Sequence, residues 1–288
     1  MLGFSFKAIL IKLAYREDSV DAITLLTLRM LYSAPMFVVM AAWAQRATRA
    51  KPTSGADWLR LVWLGCIGYY LSSLLDFMGL RYITASLERL VLFLYPTIVV
   101  LLSALLLGKP VTRRAMAALV LSYAGIALVF WHDLRFSGNA AATLTGGGLV
   151  FAAALLYALY LVQAGGVIAR LGSTRFISWA MLASTAFVIA QFLLTRPLAA
   201  LAVPRSIHAI SLAMAVFSTV LPTWLIAESI RRMGANTASL VGSLGPVFTI
   251  GLGAMILGEP VHAIQLAGAA LVLGGVMLVT AKRRDAAS

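Results

Sequence analysis

Residues 96–111 read PTIVVLLSALLLGKPV, and residues 246–261 read PVFTIGLGAMILGEPV. Both stretches open on a proline, run almost wholly apolar and close on Gly-x-Pro-Val, at an offset of 150 (246 minus 96). At the same offset, without a gap, Arg81 meets Arg231, Ala85 meets Ala235, Leu90 meets Leu240 and Gly125 meets Gly275. Leucine, alanine and valine coincide by chance in any two apolar segments, so the proline and glycine matches carry the weight. Self-similarity at a fixed spacing marks two related halves.

The rest of the chain decides the solvent. Of 288 residues, 61% are apolar and 11% charged, with mean hydropathy +0.95; soluble domains run near 45–50% and about 25%. So few charges cannot cover a water-exposed surface, which excludes a soluble globule. A helix crosses a hydrocarbon layer of roughly 30 Å with about 20 apolar residues. Apolar runs broken by Gly, Pro, Asp and Arg clusters predict spans at about 1–15, 22–44, 57–80, 84–107, 112–131, 146–169, 174–195, 207–230, 235–257 and 261–281.

A net charge of +13 would suit nucleic acid, but its distribution excludes that partner. Setting Lys282-Arg283-Arg284 in the cytoplasm also places Arg46, Arg49, Lys51, Lys109, Arg113, Arg114, Arg170, Arg175, Arg231 and Arg232 there, thirteen in all. The opposite gaps hold five: Arg16, Arg81, Arg135, Arg196 and Arg205. This positive-inside pattern predicts a multi-pass protein of the bacterial inner membrane with both termini cytoplasmic. The single cysteine, Cys66, lies in an apolar run, which excludes an internal disulfide or a cysteine-rich metal site. No small-x-small cleavage site follows the first apolar stretch.

Five spans per half is an odd number, so the second half enters the membrane upside down. One turn records the inversion: Gly108-Lys109-Pro110, followed by Arg113 and Arg114, becomes Gly258-Glu259-Pro260, followed by Ala263 and Ile264. Positive charge disappears where the copy faces out. The expected fold is all-α and polytopic, with ten transmembrane helices in two inverted five-helix repeats around a central cavity.

The opening Leu2-Gly3-Phe4-Ser5-Phe6 with Lys7, the pair Leu28-Arg29, and the two Pro…Gly-x-Pro signatures resemble the EamA branch of the drug/metabolite transporter superfamily, and within it the bacterial amino-acid exporters. The resemblance covers essentially the whole chain and divides it into repeats 1–131 and 144–281. It implies a lipid-embedded protein working as a monomer, two five-helix bundles around a cavity, exporting amino acids or related small metabolites. Only about 15 residues precede Arg16-Glu17-Asp18, so the first helix is short for a crossing. Met1 is therefore expected within the membrane layer, unless native residues precede it.

Charges inside spans cost about 2.5–3.5 kcal/mol each on insertion scales, so each is a functional candidate. Helical rise puts Lys7 about 12 Å below the outer boundary, Arg29 about 10 Å, and Asp76 and Glu88 about 6 Å. Neither acid has a base three or four residues away, so its partner must come from another helix. With Lys12 and Arg89 included, the outer half holds four cations against two acids. A substrate carboxylate is expected at Lys7, leaving an acid for an amino group or a coupling proton. The plainer alternative makes Arg29–Asp76 or Arg89–Glu88 buried packing pairs. Lys12 is expected to snorkel, and Glu228 to pair locally with Arg232.

Aromatic residues gather near helix breaks: Phe93 and Tyr95 beside Pro96, Tyr157 with Tyr160, Tyr69 with Tyr70, and Trp224 after Pro222. They predict a cavity accepting bulky apolar or aromatic side chains, unless they are interfacial anchors. Tyr95, Tyr157 and Tyr160 lie too deep for that alternative. Pro96 and Pro246 each deprive a carbonyl, of Leu92 and Gly242, of its helical donor. Paired interruptions at equivalent positions point to hinges around a midplane site, with Tyr95 and Ser243 beside them; otherwise they are packing kinks. Ala118, Ser122, Gly125, Gly268, Gly274 and Gly275 suggest close helix packing. Gly146-Gly147-Gly148 suggests a loop-to-helix boundary without the Lys-Ser/Thr of a phosphate cradle.

An intramembrane enzyme would need parts that the chain lacks. His132, His208 and His262 fall near span ends, and there is neither H-E-x-x-H nor G-x-S-x-G. No catalytic residue, metal or cofactor is expected. A scaffold without transport would need no hydrated cavity.

Overall fold

The computed structural model describes residues 2–17, 20–47, 54–108, 110–136, 138–223, 225 and 245–280. It is all-helical: α1 Leu2–Arg16, α2 Ala22–Ala47, α3 Gly55–Gly79, α4 Ala85–Leu92, α5 Tyr95–Leu107, α6 Arg113–Phe136, α7 Ala140–Leu171, α8 Ser173–Thr195, α9 Arg205–Thr223, α10 Gly245–Leu257 and α11 Ala263–Thr280. Short polar side chains start several of them by accepting the first free backbone N–H groups. Ser54 caps α3, Thr84 caps α4 and Asn139 caps α7. Gly108 and Gly258 end α5 and α10 in the left-handed region, both at φ 64°, a conformation that disfavours any residue with a Cβ.

Among the described residues, seven segments are long and apolar enough to cross a membrane: Ala22–Arg46, Gly55–Gly79, Ala85–Leu107, Arg113–Phe136, Ala140–Leu171, Ser173–Thr195 and Arg205–Thr223. Gly245–Leu257 and Ala263–Leu278 are shorter apolar helices, and α1 has 15 residues. The polarity is that of a protein in lipid: Leu105, Leu194 and Met255 are over 80% exposed, whereas Thr27, Ser33, Asp76 and Glu88 are buried. With no water in the hydrocarbon, the polar groups turn inward.

One expectation is corrected. Gly146-Gly147-Gly148 is no boundary, because α7 begins at Ala140 and carries all three in its interior. A Cβ on Gly146 would lie 2.7 Å from Tyr82 Cβ and 3.0 Å from the Gly79 carbonyl, so a helix contact demands this glycine. The span expected at 84–107 is present as Ala85–Leu107, interrupted at Phe93 and Leu94 into α4 and α5. Pro96 stands in the first turn of α5, where its missing N–H costs little. The interruption falls where the Leu92 carbonyl loses its donor.

Expected small-residue packing recurs between α6 and α11: a Cβ on Gly125 would sit 2.7 Å from the Gly268 carbonyl, and one on Gly275 would sit 2.6 Å from that of Ala118. Gly274 has nothing within 4 Å and takes no part in that contact. The wider packing follows a pattern. α6 pairs with α11, and α2 with α8. α1 packs on α10 and on a π-helical turn of α9, Met214–Val220; α7 packs on α5 and on a π-helical turn of α3, Cys66–Leu71. Adding 150 to 66–71 gives 216–221, which overlaps the second π turn.

Candidate functional site

Between the helices lies a cavity of about 330 Å³, lined from α1, α2, α3, α4, α5, α7, α8, α9 and α10. Its polar end is built by charges at different depths in the sequence. Lys7 on α1 donates from Nζ to Asp76 Oδ2 on α3 at 2.5 Å, and the same ammonium stands 3.9 Å from Glu88 Oε1 on α4. One lysine thus serves two carboxylates. Asp76 Oδ1 and both oxygens of Glu88 have no hydrogen-bond partner among the described residues, and Glu88 is wholly buried. The expected pairs Arg29–Asp76 and Arg89–Glu88 are replaced. Arg29 lays its guanidinium over the Phe77 ring, 4.8 Å from the centroid, and its Nε is unpartnered. Arg89 Nε donates to Thr249 Oγ1 at 3.2 Å, and Ser5 donates to the Gly245 carbonyl at 3.1 Å. Approach of α1 to α3, which no local spacing encodes, supplied the nearer cation.

The other wall is aromatic. Tyr95 meets Tyr157 edge to face at 5.2 Å, Tyr157 stacks on Tyr160 at 5.6 Å, and Tyr160 exchanges a 2.8 Å hydroxyl hydrogen bond with Tyr69. Phe93 continues the row beyond Tyr95. Edge-to-face geometry sets each ring's positive rim against its neighbour's negative face, and Tyr69, Tyr95, Tyr157 and Tyr160 all line the cavity. By contrast, Tyr70 stacks on Phe187 and does not line it.

Of the expected site residues, Lys7, Tyr95, Tyr157, Tyr160, Arg29, Asp76 and Arg89 line the cavity, and Glu88 lies directly behind Lys7. Pro96 and Pro246 do not line it, though their neighbours Tyr95 and Gly245 do. Trp224 and Ser243 lie outside the described residues, as do Met1, Glu228 and Arg232. Sequence reading passed over Ser72, Ser73, Ser218, Thr219 and Thr223, which add hydroxyls to the lining. Small polar residues inside apolar spans were the available signal. Lys12 is half-buried and within electrostatic reach of Glu259.

Lys7, Arg29 and Arg89 against Asp76 and Glu88 leave one formal positive charge, three minus two, at the end of a mainly apolar chamber. Such a site offers a cation to an anionic group, an acid to an amino group, and ring faces to an apolar body.

The chain matches the EamA-like transporter family over residues 1–131 and 144–281. It is 30% identical over 287 residues to the "Uncharacterized transporter YcbK" of Bacillus subtilis, covering 96% of this chain and 87% of that protein. It is 27% identical over 226 residues to the "Probable terminal-alkyne amino-acid exporter" of Streptantibioticus cattleyicolor, covering 73% and 70%. A crystal structure superposes with a TM-score of 0.64 at 20% identity, covering 96% of this chain and 94% of that one, and carries the fold alone. A multi-pass helical bundle with a charged and aromatic chamber, matched along nearly its full length, belongs to the EamA-like transporter family.

Proposed function

We propose that this transporter exports amino acids with bulky apolar or aromatic side chains by alternating access between two inverted five-helix halves, 1–131 and 144–281. The observation that carries the reading is the chamber itself: a row of tyrosines facing a cluster in which Lys7 bridges Asp76 and Glu88. An α-carboxylate can enter beside Lys7, Arg29 and Arg89, an α-amino group can replace Lys7 at Asp76, and a large side chain can lie along Tyr95, Tyr157 and Tyr160. Exchange of partners at the acids also provides a place for a coupling proton. Matching packing of α1 and α7, together with π turns at corresponding places in α3 and α9, supports two related halves. The named exporter of Streptantibioticus cattleyicolor supports an amino-acid substrate. The protein works in the bacterial inner membrane as a monomer.

Proteoliposomes loaded with labelled phenylalanine, leucine or aspartate test this. Efflux of the first two above empty vesicles, with aspartate slower, is expected. Equal rates in protein-containing and empty vesicles for all three would refute the substrate assignment.

A further inference from the structure

The chamber reaches Ile168 and Ser173, which flank the Gly172 turn at one end of the bundle. At the opposite end, the turn after α10 fastens two helices of the first half. Glu259 Oε1 accepts the Ala85 N–H at 2.8 Å, and Oε2 accepts the Ser86 N–H at 3.2 Å and the Ser86 hydroxyl at 2.8 Å. Ala85 and Ser86 are buried and open α4, so their N–H groups have no partner within the helix. A carboxylate there also meets the positive end of the helix dipole. Beside it, Arg16 Nη2 on α1 donates to the Leu257 carbonyl.

These are the two helices that carry Lys7, Glu88 and Arg89. We propose that Glu259 is a positioning residue of the transport cycle, a latch that holds α1 and α4 against the 257–259 turn and keeps the chamber shut at that end while it is open at Ser173. The proposal rests on the alternating-access reading above. The sequence supplies its asymmetry. Position 109, the counterpart of 259, is a lysine, which has donors only and cannot cap a helix N-terminus. The two ends are therefore not equivalent, and the state with the Glu259 end shut is favoured at rest. By the basic-residue pattern that end is the outer one.

The test uses thiol labelling in proteoliposomes with a membrane-impermeant maleimide, in a Cys66→Ser background carrying Ile168→Cys at the Ser173 end or Ile83→Cys, buried two residues before Ala85. Glu259→Ala should raise labelling at position 83 and lower it at 168, each by roughly tenfold, the scale of losing charge-assisted hydrogen bonds. Glu259→Asp should lie between. Ala85→Pro removes the N–H that Oε1 accepts and sets a ring carbon in its place, at a first-turn position where proline is tolerated and after a residue already extended (Thr84, ψ 157°). It should move labelling the same way by less. Unchanged labelling in folded Glu259→Ala and Ala85→Pro protein overturns the latch. Shifted labelling in a protein that moves no amino acid keeps the latch and removes the substrate assignment.

Discussion

Replacing Lys7 by methionine keeps most of the side-chain volume and removes the cation that, among the described residues, stands within ion-pair distance of both Asp76 and Glu88. With an effective dielectric constant of about 20, attraction across 2.5 Å is about 7 kcal/mol and across 3.9 Å about 4 kcal/mol, before desolvation is subtracted. Breaking one side of a buried pair typically costs about 3–5 kcal/mol, because the surviving charge stays in a low dielectric. At roughly 2–4 °C per kcal/mol for a chain of this size, the melting temperature in detergent should fall by about 6–20 °C. Cys66 is the single cysteine and is partly buried, so a thiol-reactive dye reports the unfolding directly. The companion variant is Lys7→Met with Asp76→Asn. Removing both charges of the closer pair should restore most of the lost stability, while transport stays low in single and double variants alike. If the double variant loses the sum of the two single losses, Lys7 and Asp76 are not coupled, and the cluster described here is not the one that operates.

Three further outcomes are expected. Asp21 is partly buried, which raises its carboxyl, but hydrogen bonds from Arg196, Thr24 and Ile23 outweigh this and hold it below the usual range; a depressed carboxyl stabilises the fold above its unfolded value of about 3.9 and stops doing so as pH falls through the folded one. Asp21→Asn should accordingly lower the melting temperature at neutral pH, with the two proteins converging below about pH 4, and a constant difference across an acid titration would contradict this. Pro96→Ala supplies the N–H that the Leu92 carbonyl lacks and should let α4 and α5 fuse, slowing efflux in folded protein; Pro246→Ala should bias labelling of the chamber the opposite way, and identical shifts in the two would remove the hinge role. Gly275→Leu places a side chain where a Cβ alone would stand 2.6 Å from the Ala118 carbonyl, forcing α6 from α11, and should abolish monodisperse protein on size exclusion.

The helical runs were legible because lipid imposes one rule on every span, a sustained apolar stretch ended by glycine, proline or charge. Gly146-Gly147-Gly148 misled for a physical reason: glycine marks both a turn and the closest helix contacts, and only the approach of Gly79 and Tyr82 tells which applies. Reading depth along each helix put Lys7, Arg29, Asp76, Glu88 and Arg89 in the same half of the bundle, since charges in lipid must find one another, but it set Lys7 deeper than the two acids and did not pair them. Which cation met which acid was not readable, because that depends on how α1 leans against α3 and α4. Glu259 was noticed for its charge reversal against Lys109, yet its contact with Ala85 and Ser86 spans 174 residues and leaves no local trace.

The π turn at Cys66–Leu71 has a consequence for how this chain tolerates change in length. A π turn is one residue more than the α-helix needs, held in place without breaking the span. Taking a residue out there would let the backbone close into ordinary α geometry, and everything on one side would swing by about 100° relative to the other. Leu61 and Leu64 would keep their places on the far side only if Asp76 swung away from Lys7. The extra residue is thus a phase setting that lets one face of α3 serve the packing between Gly55 and Gly65 and a different face serve the chamber beyond Leu71. The turn at Met214–Val220 holds Ser218 and Thr219 on the chamber by the same means, so a one-residue deletion should be tolerated in the loops around these helices and silence the protein inside either turn.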